Sequence, residues 1–360
     1  MKFTVSTGVL KSLVAKAMKG ASNNKMLPLT NFIEIECKDN ILTLTTTDST
    51  NYLYLYEELI GENEDFSVVV GANIFSKLIS KLTCEVVSLS VDNDKLVVDG
   101  NGKYNIELPL DEEGRLLKFP QPLKTVDVSN PLDTITLDTI NVMLGTAKNS
   151  LAVSLDIPCY TCYYAGDSII TTDTYKMCGI NKKLFATPKL LRPEFVELLS
   201  IISLPDIKTY IDGDSIVCHT DNCTVYGKLM DCIDDYQIGA INDILQTQFS
   251  SSGTISTQLV SQVLDRLSLF VGVYDRGEIK LTFDDRGIII TSKQSTGIEV
   301  VPFITKENVV PFNVSVNVNM LQDLVNAIKQ DTFKISYGNT SSIMLSTPDV
   351  VQVLALISEY

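Results

Sequence analysis

At 360 residues, with 45% hydrophobic and 20% charged side chains and no low-complexity tract, the chain has the composition of a folded globular protein of two or three domains. A formal net charge of −15 at pH 7 excludes an exterior that wraps nucleic acid or adheres to anionic lipid, and leaves only local basic surfaces for such partners. No apolar run approaches the ~18–20 residues that span a bilayer, and the N-terminal MKFTVSTGVLKSLVAKAMKG has scattered lysines rather than a signal-peptide core, so a cytoplasmic protein is expected, with no membrane partner.

Three groups of elements follow one another. The first reads as an amphipathic helix GVLKSLVAKAMKGA, with Val9, Leu10, Leu13, Val14 and Ala17 on one face, then strands NFIEIECKD, ILTLTTTDST and NYLYLYEEL. A second helix, GANIFSKLISKL, has Ile74, Leu78 and Leu82 at helical spacing and precedes strands VVSLSVDND, KLVVDG and KYNIELPL. The middle group repeats the order, with helices LDTINVMLGTAK and TPKLLRPEFVELLSII. Its strands are AVSLDIPCYTCYYAG, DSIITTDTYKMCGI, IKTYIDGD, SIVCHTDN and CTVYGKLMD. The last group has helices STQLVSQVLDRLSLF and VNMLQDLVNAIK, with strands EIKLTFDDR, GIIITSKQS, IEVVPF, DTFKISYG, SSIMLSTP and VVQVLALI. A period of about 120 residues, with linkers KFPQPLKTV and IGAINDILQTQ, predicts three domains: 1–122, 123–246 and 247–360. Two helices beside several short strands in each predict an α+β fold, helices on one face of antiparallel sheets.

Residues with catalytic potential are few. Cys159 and Cys162 form a CxxC, but a structural zinc site wants a second pair, and Cys218 with Cys223 is too loosely spaced. IPCYTCYYAG reads as a strand, which would send the two thiols to opposite faces as reduced, partly buried side chains. The single histidine, His219, lies in the strand-like DSIVCHTD, with no nucleophile elbow, Walker loop or dinucleotide fingerprint to join it. Thr-Thr-Asp recurs at 46–48 and 171–173, with a fainter echo in GIIITSKQS, at the same place in each group. An enzyme would use Asp48 and Asp173 as paired carboxylates or metal ligands, yet the third copy has Lys293 there and no histidine or cysteine joins them. The phrase reads as a strand-and-turn device, so no catalytic residue, metal or cofactor is expected.

Charge is distributed unevenly. The first helix region carries Lys11, Lys16 and Lys19 and the second Lys77 and Lys81, with no acid in either. Later helices are mixed: Lys148 with Asp138, Lys189 and Arg192 with Glu194 and Glu197, Lys329 with Asp323. Purely basic helices in an acidic chain suit weak, salt-sensitive, sequence-independent contact with phosphates.

With MKFTVS at its start, LPLTNFIEIECKDNILTLTTTDSTNYL, SIITTDTYKM and NVSVNVNMLQDLVNAI in order, the chain resembles the bacterial DNA sliding clamps, the beta subunit of replicative DNA polymerase III. The likeness covers essentially the whole chain, and its divergence is of the kind expected of a phage or plasmid version. It implies three clamp domains per chain and a head-to-tail homodimer closed into a ring, with helices lining the hole and sheets outside. Such a ring is not an enzyme; it encircles duplex DNA without sequence preference and tethers the polymerase for processivity. By position, Asn24, Lys25 and Asn149 join the five lysines as DNA-facing residues. Ile106 and Leu108 in KYNIELPL, with Leu269 and Phe270 from the third domain, match the dimer interface.

The resemblance also implies a cleft between the second and third domains where polymerase and clamp loader insert short peptides with apolar anchors. Leu155, Thr172, Thr174, Tyr175, Lys176 and Met177 match its positions in the second domain. Asn317, Met320, Ser342, Val353, Ala355 and Leu356 match those in the third. Thr174, Tyr175 and Lys176 replace the family's usual Gly-His-Arg, a floor proline is replaced around Asp234, and LALISEY replaces the usual tail, adding Glu359 and Tyr360. A recut cleft that binds host-type peptides poorly is expected. The alternative from another class is an acidic β-rich scaffold, with neither basic hole nor cleft.

Overall fold

The computed structural model describes residues 2–22, 27–61, 63–122, 126–154, 156–272, 277–292, 296–338 and 341–357. Its helices are α1 (Thr7–Ala17), α2 (Ala72–Lys81), α3 (Leu137–Gly145), α4 (Pro193–Leu199), α5 (Ile238–Leu245), α6 (Thr257–Ser268) and α7 (Val318–Asn326). All of these except α5 start one or two residues after the end of a short strand. Those lead-in strands, such as Lys2–Ser6, Phe66–Gly71 and Ser251–Ser256, are too brief to stand out from the helical pattern that follows. The junction residue caps the helix where it can: Ser256 Oγ accepts from Leu259 N at 3.4 Å, and Asn317 Oδ1 accepts from Asn319 N and Met320 N at 3.0 and 3.1 Å.

By packing, the chain forms two units, Met1–Leu137 with Glu194–Leu229, and Asp138–Pro193 with Met230–Tyr360. The first unit holds a four-stranded antiparallel sheet ordered Lys2–Ser6, Val86–Asp92, Lys95–Asp99, Lys103–Glu107. Its second sheet has eight strands, ordered Phe66–Gly71, Phe32–Lys38, Ile41–Thr47, Tyr52–Glu58, Cys223–Lys228, Ser215–Thr220, Asp206–Asp212, Asp133–Thr136. Alternation builds these strands: in Phe32–Lys38, Ile33, Ile35 and Cys37 are buried while Glu34 and Glu36 face the other way. The hairpin that follows turns on Asp39 and Asn40, both at positive φ (49° and 61°), the geometry short polar side chains tolerate best.

The second unit mirrors that plan. Nine strands run in the order Lys189–Leu191, Tyr163–Ala165, Ile169–Thr172, Lys176–Ile180, Val350–Ala355, Ser342–Ser346, Thr332–Tyr337, Ser251–Ser256, Thr305–Glu307. Four more form the sheet Ile298–Pro302, Gly287–Ser292, Glu278–Asp284, Phe312–Asn317. Val260, Val263, Leu264 and Leu267 of α6 and Leu321, Leu324 and Val325 of α7 pack against both sheets in one core, each burial stabilising by about 1.5–3 kcal/mol. Phe283 stacks on Tyr337 in that core, centroids 4.0 Å apart.

The long sheets join parts of different sequence repeats. In the first unit Leu55 lies opposite Cys223, and in the second Met177 lies opposite Val353. The middle repeat is thereby parted: its strands between Tyr163 and Leu191 complete the nine-stranded sheet, while Asp133–Thr136 and the strands from Asp206 to Lys228 complete the eight-stranded one.

Three expectations need correcting. The strand through IPCYTCYYAG is broken: Pro158–Thr161 forms a 3-10 turn, and the strand begins at Tyr163. Cys162 N donates to Cys159 O at 3.3 Å, and both side chains enter one buried cluster instead of opposite faces. TPKLLRPEFVELLSII is not one helix, because Pro193 lacks the N–H an interior position needs; it starts α4, and Lys189–Leu191 before it is a strand. IGAINDILQTQ, read as linker, contains α5, whose Ile238, Ile241 and Leu245 pack against the same cluster as the two cysteines. All eight cysteines are free thiols, and no group of three His, Cys, Asp or Glu among the described residues could hold a metal. His219 is half-buried on its strand, Nδ1 2.8 Å from Thr224 Oγ1. No helix among the described residues is long and apolar enough to cross a membrane.

Candidate functional site

The two full Thr-Thr-Asp copies build the same turn. Thr46 and Thr171 donate to the carbonyls of Ala17 and Ala147 at 3.0 and 2.8 Å, fastening the strand to the preceding helical segment. Thr47 and Thr172 donate to Asn51 O and Lys176 O at 2.6 and 3.1 Å and accept from Ser49 N and Thr174 N, both at 3.0 Å. Asp48 Oδ1 accepts from Thr50 N and Asn51 N at 2.8 and 2.7 Å; Asp173 Oδ1 accepts from Tyr175 N and Lys176 N at 2.9 and 2.7 Å. Each carboxylate is thus taken up by its own turn, and the two belong to different units. In the third copy Ser292 Oγ accepts from Gly297 N at 3.0 Å; Lys293 lies outside the described residues.

This turn forces its third residue to positive φ: +82° at Ser49 and +77° at Thr174. A β-branched threonine is strained there, by about 1–2 kcal/mol. Thr174→Gly is expected to recover about that amount in denaturant unfolding; a destabilised variant would show that the threonine side chain is holding the turn.

The structure brings the expected cleft residues together in part. Met177 and Val353 face each other across adjacent strands and join Met344 in a cluster with Tyr160, Tyr164, Tyr236 and Ile241. They are only 8% and 4% exposed, so this floor is already largely covered. Ser342 pairs with Ala355, Thr172 pairs with Met177, and Ala355 N donates to Tyr175 O at 2.8 Å, tying the strand end to the turn. The Tyr175 side chain stands out at 62% exposure, and Thr174 is exposed beside it. Met320 and Leu356 pack against the other cluster, that of α6 and α7, while Asn317 caps α7. Lys176 is buried, its Nζ 2.8 Å from Asp323 Oδ2 and 4.0 Å from Asp173 Oδ2. Leu155 lies outside the described residues.

Sequence reasoning missed the tyrosines. Tyr236 packs on Tyr160 and Tyr164 with centroids 5.1 and 5.0 Å away and donates to Ile170 O at 3.2 Å. The signal was the apolar spacing of Ile233 and Tyr236, continued by Ile238, Ile241 and Leu245 in the stretch read as linker. A cavity of about 360 Å³ lies elsewhere in this unit, walled by Val142, Ile180, Ile328, Leu345 and Val350, with Lys182 ion-paired to Asp138 at its edge. None of the expected cleft residues lines it.

The basic helices α1 and α2 pack side by side in the first unit. Lys19, Lys77 and Lys81 are exposed and Lys11 and Lys16 half-buried, and none of the five makes an ion pair among the described residues. Asn149 is exposed in a 3-10 turn of the other unit; Asn24 and Lys25 lie outside the described residues.

The four-stranded sheets end on open strands, Lys103–Glu107 in one and Ile298–Pro302 in the other. On the first edge Ile106 and Leu108 are 5% and 6% exposed, turned into their own sheet, so Tyr104, Leu110 and Leu116 supply its exposed apolar surface. Near the second edge Leu269 and Phe270 are 81% and 51% exposed, together with Ile298 and Val300.

The family description DNA polymerase III beta subunit, N-terminal domain, matches residues 1–113. The Beta sliding clamp of Bacillus subtilis (strain 168) is 21% identical over 385 residues, covering 99% of this chain and 98% of its own length. The crystal structure of the Bacillus subtilis clamp superposes with a TM-score of 0.86 at 19% identity, and that of the Streptococcus pyogenes beta subunit with 0.87 at 15%, each over 100% of both chains. The chain has the sliding-clamp fold.

Within this clamp fold the thiols fill space. Burial pushes the Cys178, Cys218 and Cys223 thiols up to about 12. Iodoacetamide at neutral pH is expected to label the half-buried Cys84 and Cys232 first and the other six only after unfolding, as read by peptide mass spectrometry.

Proposed function

We propose that this protein is a DNA sliding clamp: a ring-shaped homodimer that encircles duplex DNA and tethers the replicative polymerase. The observation that carries this reading is five lysines, four on α1 and α2 and Lys19 just past α1, free of ion pairs among the described residues, in a clamp-fold chain of net charge −15. An acidic exterior repels DNA everywhere except at such a surface, and weak phosphate contacts leave the ring free to slide.

The sheets support the ring. Among the described residues each chain has long sheets of eight and nine strands and two of four strands with an open edge. Pairing Lys103–Glu107 of one copy with Ile298–Pro302 of the next would make a further eight-stranded sheet and remove the exposed edges, which are an aggregation hazard when left bare. The repeats 1–122, 123–246 and 247–360 are then three clamp domains per chain, six in the ring. Polymerase and clamp loader dock short peptides at the turn Thr172–Lys176 and the strand ends at Ser342 and Ala355. The protein is not an enzyme, and a scaffold reading leaves the unopposed lysines without a use.

Light scattering and retention on DNA test this together. A dimer that a loader leaves trapped on nicked circles, and that escapes once the circle is cut, is the expected result. A monomer retained equally on circular and linear DNA would overturn it.

A further inference from the structure

The one cation on the cleft turn is already neutralised: Lys176 Nζ lies 2.8 Å from Asp323 Oδ2 and 4.0 Å from Asp173 Oδ2. The segment covering the apolar floor has the opposite sign. Ile233 and Tyr236 pack into the cluster of Met177 and Val353, and the 3-10 turn Ile233–Asp235 that seats them leaves Asp234 and Asp235 exposed, with Asp231 just before. None of these three carboxylates makes an ion pair among the described residues. Arg192 also meets this segment, donating to Met230 Sδ at 3.4 Å, but it leaves the rim net negative. The exposed Tyr175 ring beside the turn adds a face that attracts cations.

We infer that the cleft takes a peptide whose apolar anchors are flanked by lysine or arginine, and discriminates against one flanked by aspartate or glutamate. The inference rests on the cleft reading above. Apolar anchors lie against the exposed Tyr175 ring, over the covered Met177–Val353–Tyr236 cluster, while the carboxylates of the Asp231–Asp235 segment set which flanking charges are tolerated. Exposed carboxylates act through solvent, so the discrimination is strongest at low salt and fades as ionic strength rises.

Two synthetic peptides with the same leucine and phenylalanine anchors, one flanked by lysines and one by glutamates, test this by fluorescence anisotropy against the full chain. The lysine-flanked peptide is expected to bind about tenfold tighter at low salt. Combining Asp234→Asn with Asp235→Asn should shrink that ratio, and Tyr175→Ala should weaken both peptides. Equal binding, or tighter binding of the glutamate-flanked peptide, with the Tyr175→Ala loss intact, would overturn the charge inference and leave the cleft standing. No binding of either peptide, or binding untouched by Tyr175→Ala, would overturn the cleft reading and this inference with it.

Discussion

Replacing Lys11, Lys16, Lys19, Lys77 and Lys81 together with glutamine is expected to weaken binding to duplex DNA and flatten its salt dependence. Each lysine that meets a phosphate releases a counterion and contributes about 0.9 to the slope of log affinity against log salt, so losing five contacts removes up to about 4.5 per chain. The five side chains are exposed or half-buried without ion pairs, so removing them leaves no buried charge unpaired and the fold should survive. The helices of the second unit offer no equivalent: Arg266 is ion-paired to Glu299, Asp323 holds Lys176, and Gln322 bonds Asp265. The corresponding change of Lys182 and Lys329 should therefore alter the slope much less. An unchanged slope in the quintuple variant, measured by titration at several salt concentrations, would place the DNA contact elsewhere.

Leu269→Asp combined with Phe270→Asp is expected to turn the proposed dimer into monomers. Both side chains are exposed in the single chain, so their charge costs the isolated fold little. Burying two large apolar side chains at an interface contributes about 1.5–3 kcal/mol each, and burying carboxylates in their place adds a desolvation penalty. The dissociation constant should therefore rise by more than about a hundredfold. Light scattering across a dilution series reads this directly, with circular dichroism confirming an intact fold. A variant that stays dimeric would show that main-chain pairing along the edges dominates, or that the interface lies elsewhere.

Much of the fold was legible because its pattern is repeated. The spacing of Leu10, Leu13, Val14 and Ala17, and the alternation of Ile33, Ile35 and Cys37, are local consequences of periods near 3.6 and 2, and the structure buries those residues. Recurrence of Thr-Thr-Asp at one place in each group identified a turn device, and its hydrogen bonds match donor for donor in the two full copies. The lysine asymmetry was equally plain, since charge can be read without knowing contacts.

Only tertiary structure decided how the repeats combine. Strand pairing across repeats depends on which edges meet, and Leu55 opposite Cys223 joins residues far apart in the chain that no local period connects. Tertiary packing also recruited an apparent linker into the core, through Ile238, Ile241 and Leu245 of α5, because apolar spacing short of three turns is indistinguishable from irregular chain until a surface is found for it. It turned Ile106 and Leu108 inward, since the sequence gives a strand two faces without saying which one the sheet covers. It spent Lys176 on Asp323, 147 positions away. The sequence by itself determined the recurring pattern, the strongly periodic helices and strands and the sign of each surface, all of which are legible without knowing contacts. The sheets, the buried cluster of Met177, Val353 and Tyr236 and the partners of each charge required the folded chain, because they depend on residues brought together only by folding.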